Sequence, residues 1–357
     1  MIRDLFVFLG TEVYATRRKA ALILIGFAVL PTLFMIGTVG FDKTLPEDVP
    51  VGIAPQDETT TEDDLTVTEG GVALVGTPVH YASEKSATDA LKREEVYMVV
   101  LVPPDITDEA TSAEFKLLSH GSAVPLAEAT SLLVYFIDLE LDSLLDGDVE
   151  VTHEQIGTEF TLSEYLVPNF ITLFTMAIGL IYFPYDIRDN RQVLDRVRHQ
   201  SWLESFVGAK IIFYTLMMVF LVGVLAVVNT QLEYQINILS SETVLAVALL
   251  FMSTAAIGSG VLFLTNLSRK ALFINFGLLS GVFVFGSILY PVGFFSSLRM
   301  DIARSIPLHY LAVVIRGHVL RGDPLALYTE WYRFIGQFTV GTVVFCIASI
   351  RLYEWRA

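Results

Sequence analysis

The sequence predicts a polytopic α-helical membrane protein of six spans with a small α/β domain inserted on its external side. Three observations carry this. Of the 357 residues 53% are hydrophobic, and the mean hydropathy is +0.58, more apolar than a water-facing surface around so large a chain allows. Six charge-free apolar runs, at residues 20–41, 165–183, 211–228, 243–266, 271–295 and 334–350, approach the roughly 20 helical residues that cross a bilayer core. Charge is also partitioned. Residues 42–164 hold 27 of the 39 Asp and Glu but only five of the 23 Lys and Arg, a net charge of −22, whereas the rest of the chain nets +6.

Ahead of the first run, residues 1–19 place Leu5, Phe6, Leu9, Val13 and Tyr14 at helical spacing opposite Arg3, Asp4 and Glu12. This predicts an amphipathic helix on the inner membrane face. The run at 20–41 exceeds the apolar core of a cleavable leader and lacks a small-x-small site after it, so it reads as a retained anchor, span 1. Pro31 is expected to kink it.

Residues 42–164 read as alternating strands and helices. Strands are expected at 49–54, at 78–81, in YMVVLVPP and at 114–118. A helix is expected over SEKSATDALKREE with Ser83 as its N-cap and Ser86 as the fallback, and a longer one over 126–145 leading back to the membrane. The acidic, Thr-rich stretch 57–71 reads as a loop. The acids are scattered and not spaced as a metal loop, which favours a hydrated, salt-adapted surface over a cation site. The soluble part has no basic face, so nucleic acid is not an expected partner. The one cysteine, Cys346, falls in the last run, so this domain has no disulfide.

The five runs after the domain, within residues 165–357, form the membrane domain. Arg17, Arg18 and Lys19, then Arg188, Arg191, Arg196, Arg198 and Lys210, then Arg269 and Lys270 flank the runs. The positive-inside rule makes those segments cytoplasmic, both termini with them, and residues 42–164 extracellular in the cell membrane. Arg299, Arg304, Arg316, Arg321 and Arg333 break the rule, since six spans put them outside.

Chemistry-bearing motifs are absent. Three segments beginning at Gly71, Gly281 and Gly336 have the glycine spacing of a phosphate loop but lack its lysine. No enzymatic activity, cofactor or metal site is expected of this chain. His309 and His318 do not have ligand spacing, and His80, His120, His153 and His199 stand apart in the sequence. No run has a central carboxylate or base, leaving Asn275, Thr172, Thr175, Thr254 and Ser280 as the polar groups. Such a near-neutral wall suits a hydrophobic or amphiphilic molecule. Between the second and third runs, segment 186–205 carries Val193, Leu194 and Val197 among Asp189, Arg191, Arg196 and Arg198. It reads as a docking surface for a soluble partner or as an anchor to the inner leaflet.

The stretch GSILYPVGFFSSLRMDIARSIPLHYLAVVIRGHVLRG, with Gly286, Pro291, Pro307, Arg316 and Gly322 in matching positions, resembles the carboxy-terminal signature of the type-2 ABC transporter permease family. The resemblance implies an exporter's membrane subunit, working as a homodimer or a heterodimer with a similar permease in the lipid bilayer. ATP and Mg would be bound on a separate ATPase subunit. It implies that segment 186–205 is the coupling segment, with Asp189 and Asn190 where the family often has Glu and Gly. It also implies that 291–332 is an outer re-entrant segment, from which arginines snorkel to the surface. The other reading of the residues is a membrane-anchored sensor or assembly protein whose external domain binds a ligand.

Overall fold

The computed structural model describes residues 7, 11, 49–74, 76–106, 113–124, 127–144, 149–289 and 297–356. The expected amphipathic helix at 1–19, span 1 at 20–41 and Pro291 lie outside this set, apart from residues 7 and 11. The chain divides into two compact units. One comprises residues 38–165 with 289–306, and the other holds residues 1–37, 166–288 and 307–357.

The first unit is an α/β domain with elements β1 (Val49–Pro55), α1 (Glu62–Val72), β2 (Gly76–His80), α2 (Glu84–Lys92), β3 (Met98–Val102), β4 (Ala113–His120), α3 (Ala127–Leu144) and β5 (Val149–Ile156). The sheet order is β2-β1-β3-β4-β5. Strand β1 runs parallel to β2 and β3, β3 is antiparallel to β4, and β4 is parallel to β5. Alternation along the strands splits the core in two. Val49, Val51, Ile53, Met98, Val100, Phe115 and Leu117 pack with Val72 of α1 and with Leu133, Ile137 and Leu141 of α3. Ala54, Val99, Leu101 and Leu118 face the other way, onto Ala87, Ala90 and Leu91 of α2. Ser83 caps α2 as expected.

Two expectations fail here. The stretch read as a loop contains α1, whose Thr61 and Asp64 form a capping box: Thr61 N–H donates to Asp64 Oδ2 at 2.9 Å and Asp64 N–H to Thr61 Oγ1 at 3.2 Å. Its acids Glu62, Asp63 and Asp64 occupy the first turn, where the helix dipole favours negative charge. Asp64 is buried and also accepts the Ile106 N–H at 3.1 Å. Asp64→Ala is therefore expected to speed amide exchange of residues 62–72 in the full chain by roughly tenfold to a hundredfold, about 1.5–3 kcal/mol, from loss of the cap and of hydrogen bonds to a charged group. The second failure is β5. The chain leaving α3 first adds this edge strand to the sheet, with Val149 and Val151 packed against the core.

The second unit is helical. A continuous helix Leu162–Asp189 consists of α4 (Leu162–Ala177), a π-helical turn (Ile178–Tyr182) and α5 (Phe183–Asp189); its first turn, through Tyr165, belongs to the α/β unit. Then follow α6 (Arg191–Gln200), α7 (Leu203–Gln231), α8 (Ser241–Leu264) and α9 (Lys270–Phe285). Helix α10 (Ser297–Arg304) goes with the α/β unit, where Met300 joins the core. The helical unit resumes with α11 (Pro307–Arg316), a π-helical turn (Gly317–Arg321), a 3-10 turn (Leu325–Tyr328) and α12 (Thr329–Arg356). The expected outer segment 291–332 is thus divided at Ile306.

Among the described residues, four helices are long and apolar enough to cross a membrane: Leu162–Asp189, Leu203–Gln231, Ser241–Leu264 and Leu325–Arg356. The fifth expected run ends early. Helix α9 has 16 residues, about 24 Å against a core of about 30 Å, and it stops where Gly286 caps it and Ser287 takes a positive φ of 57°. Six spans are therefore not what the described residues show.

Helix α8 is the packing centre. A Cβ on its Gly258 would lie 2.8 Å from Pro184 Cγ and 2.9 Å from the Gly179 carbonyl oxygen, so only glycine lets this helix approach the π-helical turn so closely. On its opposite side Ser253 Oγ meets Thr339 Oγ1 of α12 at 2.8 Å.

Candidate functional site

The docking segment forms α6, entered through Asn190, whose side-chain N–H donates to the Asp186 carbonyl at 2.7 Å. The helix is amphipathic, and the structure divides the six expected surface residues. Leu194 and Val197 are buried and hold α6 to the protein. Asp189, Arg191 and Val193 are exposed, together with Asp195, Arg196 and His199. Arg198 is half-buried: its Nη2 donates to the Glu354 carbonyl at 3.2 Å, and its guanidinium lies 5.9 Å from the Tyr353 ring centre. The outer face of α6 presents Val193 among charges of both signs, Arg191 and Arg196 with Asp189 and Asp195.

Further bonds gather the helix ends around α6. Arg188 Nε donates to the Leu267 carbonyl at 3.1 Å, joining α5 to the turn after α8. Arg351 of α12 pairs with Glu204 of α7 at 2.5 Å and stacks 4.7 Å from the Trp202 ring centre. Arg356 donates to the Leu264 carbonyl at 3.4 Å. One end of the unit is thus basic and cross-tied.

Beneath α6 lies a feature that the sequence reading missed. Lys210 Nζ donates to Asp186 Oδ2 at 2.7 Å, with side chains 0% and 2% exposed, and the ammonium sits 5.3 Å from the Phe206 ring centre. The apolar runs end at residue 183 and begin again at 211, but the helices extend beyond them and carry both charges inside. The signal available was the position of two opposite charges at the facing ends of successive runs. The pair lies just outside the apolar runs, whose centres carry no charge, and at this end the helices bury one carboxylate and one ammonium together.

At the other end, the residues of the carboxy-terminal stretch converge. Gly286 closes α9, Pro307 opens α11 at the position where its missing N–H costs nothing, and Gly322 adopts φ +63° after the π-helical turn. Arg316, 1% exposed, donates Nη1–H to Asn169 Oδ1 at 2.8 Å, and both Nη1 and Nη2 donate to the Ser287 carbonyl at 3.1 Å. His309 Nδ1 lies 3.4 Å from the Gly286 carbonyl. Arg321 is also buried, with Nε donating to Asp323 Oδ2 at 2.7 Å, and the Tyr328 hydroxyl donates to the same oxygen at 2.8 Å. His318 Nδ1 is 2.7 Å from the Asp323 carbonyl, which makes Nδ1 the donor and leaves Nε2 to accept from the Tyr332 hydroxyl at 2.9 Å. Snorkelling arginines are thus replaced here by buried ones: Arg316 and Arg321 staple the segment, while Arg304 and Arg333 are exposed.

Among the described residues, no group of three or more His, Cys, Asp and Glu is placed to hold a metal ion. No protein-family model, curated protein or solved structure matches the chain.

Proposed function

We propose that this chain is the membrane subunit of an ATP-driven exporter of the type-2 ABC permease kind, moving a hydrophobic or amphiphilic substrate by alternating access. The observation that carries the reading is α6: a short amphipathic helix whose inner side is buried and whose outer side offers Arg191, Val193 and Arg196 at the cross-tied basic end. By the positive-inside rule that end is cytoplasmic. A groove with an apolar floor for Val193 and carboxylates placed opposite Arg191 and Arg196, on a separate ATPase subunit, would complement it. Two copies, or this chain and a homologue, form the path. ATP-driven closure of two ATPase subunits pushes the α6 helices, and the ties to α5, α7 and α12 spread that displacement through the bundle.

Double substitution of Arg191→Glu with Arg196→Glu is expected to remove roughly 2–4 kcal/mol of docking free energy. A partner ATPase is then expected to fail to co-purify and to go unstimulated, while membrane insertion is unchanged. Both side chains are exposed and hold nothing else in place among the contacts described above, so undiminished stimulation would sink the docking assignment. If no ATPase co-purifies with the unsubstituted chain, the membrane-anchored sensor takes the place of the exporter.

A further inference from the structure

The α/β domain contains a small cavity of about 110 Å³ at the carboxyl ends of the parallel strands β4 and β5, beside the first turns of α3. Its polar lining includes Ser119, His120, Thr130, His153 and Gln155, and the rest is mainly glycine and small aliphatic residues. Two of the domain's three histidines therefore meet here, although they stand 33 positions apart in the sequence.

The side chains are ordered by their bonds. His153 Nε2 lies 2.8 Å from Ser119 Oγ; when the ring donates, the serine hydroxyl proton is directed elsewhere. His120 Nδ1 accepts the Ser122 N–H at 3.1 Å, which fixes Nε2 as the protonated nitrogen of the neutral ring. A Cβ on Gly121 would lie 2.5 Å from the Thr158 carbonyl oxygen and 2.7 Å from Gln155 Nε2, so glycine is what lets this loop pass so close to the Thr158 backbone. The lining contains no carboxylate, in a domain where 27 residues of 123 are acidic. Hydroxyl, amide and imidazole groups can all present N–H or O–H donors, and the nearest walls add no negative charge to oppose an anion.

We propose that this cavity is a binding site for a small oxyanion of the carboxylate or phosphate type, held by hydrogen bonds from Thr130, Gln155 and the Ser119 hydroxyl, whose proton His153 leaves free for the anion by donating to Oγ, with His120 in the lining. The site gives the external domain a ligand of its own and does not depend on the transport reading.

The test uses the full chain in detergent micelles with ¹³C-labelled histidine imidazoles, titrated at constant ionic strength and pH with sodium phosphate in one arm and sodium acetate in the other. Of six imidazole signals, the two absent from His120→Gln and His153→Gln are expected to shift saturably with at least one probe, and the other four to stay still. The arm that saturates names the anion. Ser119→Ala is expected to raise the half-saturating concentration roughly tenfold, as loss of a hydrogen bond to a charged group does. His153→Gln keeps a hydrogen-bonding side chain beside Ser119, so unchanged remaining signals show that the domain is still folded. No saturable shift with either probe overturns the proposal, as does saturation that is the same in Ser119→Ala and His153→Gln.

Discussion

Asp186→Asn is expected to destabilise the helical unit by about 3–5 kcal/mol, because it leaves the Lys210 ammonium buried without the carboxylate that now receives it at 2.7 Å. Lys210→Met is expected to cost a similar amount from the other side, leaving Asp186 charged among apolar helices. The two losses should not add. A chain carrying both substitutions has no buried charge at this position and is expected to recover most of the stability lost by either single variant. Thermal unfolding of the three variants in one detergent measures the cycle, and additive losses would show that the two groups act separately. The pair also lies where α5 hands the chain to α6, since Asn190 is bonded to the Asp186 carbonyl. On the proposed function, the stable double variant is expected to bind the ATPase through its unaltered surface but to stimulate it less.

The sequence carried the architecture of the α/β domain well where local rules agree. Strand β1, the capped helix α2 and the buried strand β3 lie close to where alternation, N-cap chemistry and an apolar run placed them. It misled at α1, because composition spoke against burial while the decisive signal was short and positional: Thr61 followed three residues later by Asp64, with acids filling the first turn. Strand β5 was hard to see for the opposite reason. It is an edge strand whose residues are half-buried or exposed, so the alternation in VEVTHEQI is diluted by polar residues on both sides.

In the helical unit, hydropathy located the cores of the helices but not their ends. A charge stops an apolar run in a sequence, whereas a helix continues through it when the charge finds a partner. Asp186 and Lys210 are such a pair, and neither could be called paired before the fold brought α5 against α7. The fifth run failed in the other direction. Its hydropathy continues past residue 285, but Gly286 and the positive φ of Ser287 end the helix. The exposed face of α6 was legible from spacing alone. Which of its residues face inward was not, because Leu194, Val197 and Val193 are equally apolar and only packing against the bundle separates them. That His120 and His153 line one cavity follows from β4 and β5 lying side by side in the sheet, which no local pattern encodes.

Arg316 shows how much can rest on a side chain that sequence rules would send to the surface. Its guanidinium reaches Asn169 on α4 and the Ser287 carbonyl after α9 in three hydrogen bonds, so one residue of α11 ties two other parts of the helical unit. The fork geometry is what makes this possible: two nitrogens converge on one carbonyl while one of them also serves the asparagine. Arg316→Lys keeps the charge but replaces the fork with a compact ammonium on a stem without the planar group. It is expected to retain part of these bonds and to cost about 1–3 kcal/mol. Arg316→Leu removes all three and leaves two buried acceptors to be satisfied, for an expected loss of about 2–5 kcal/mol. Adding Asn169→Leu removes one of those acceptors and should return part of the loss. Amide exchange at residues 286–289 and 308–316 in the full chain reports the outcome locally. Faster exchange in both stretches for Arg316→Leu, smaller for Arg316→Lys, is expected if Arg316 staples α11 to the turn after α9; exchange confined to α11 would mean that the turn is held by other bonds.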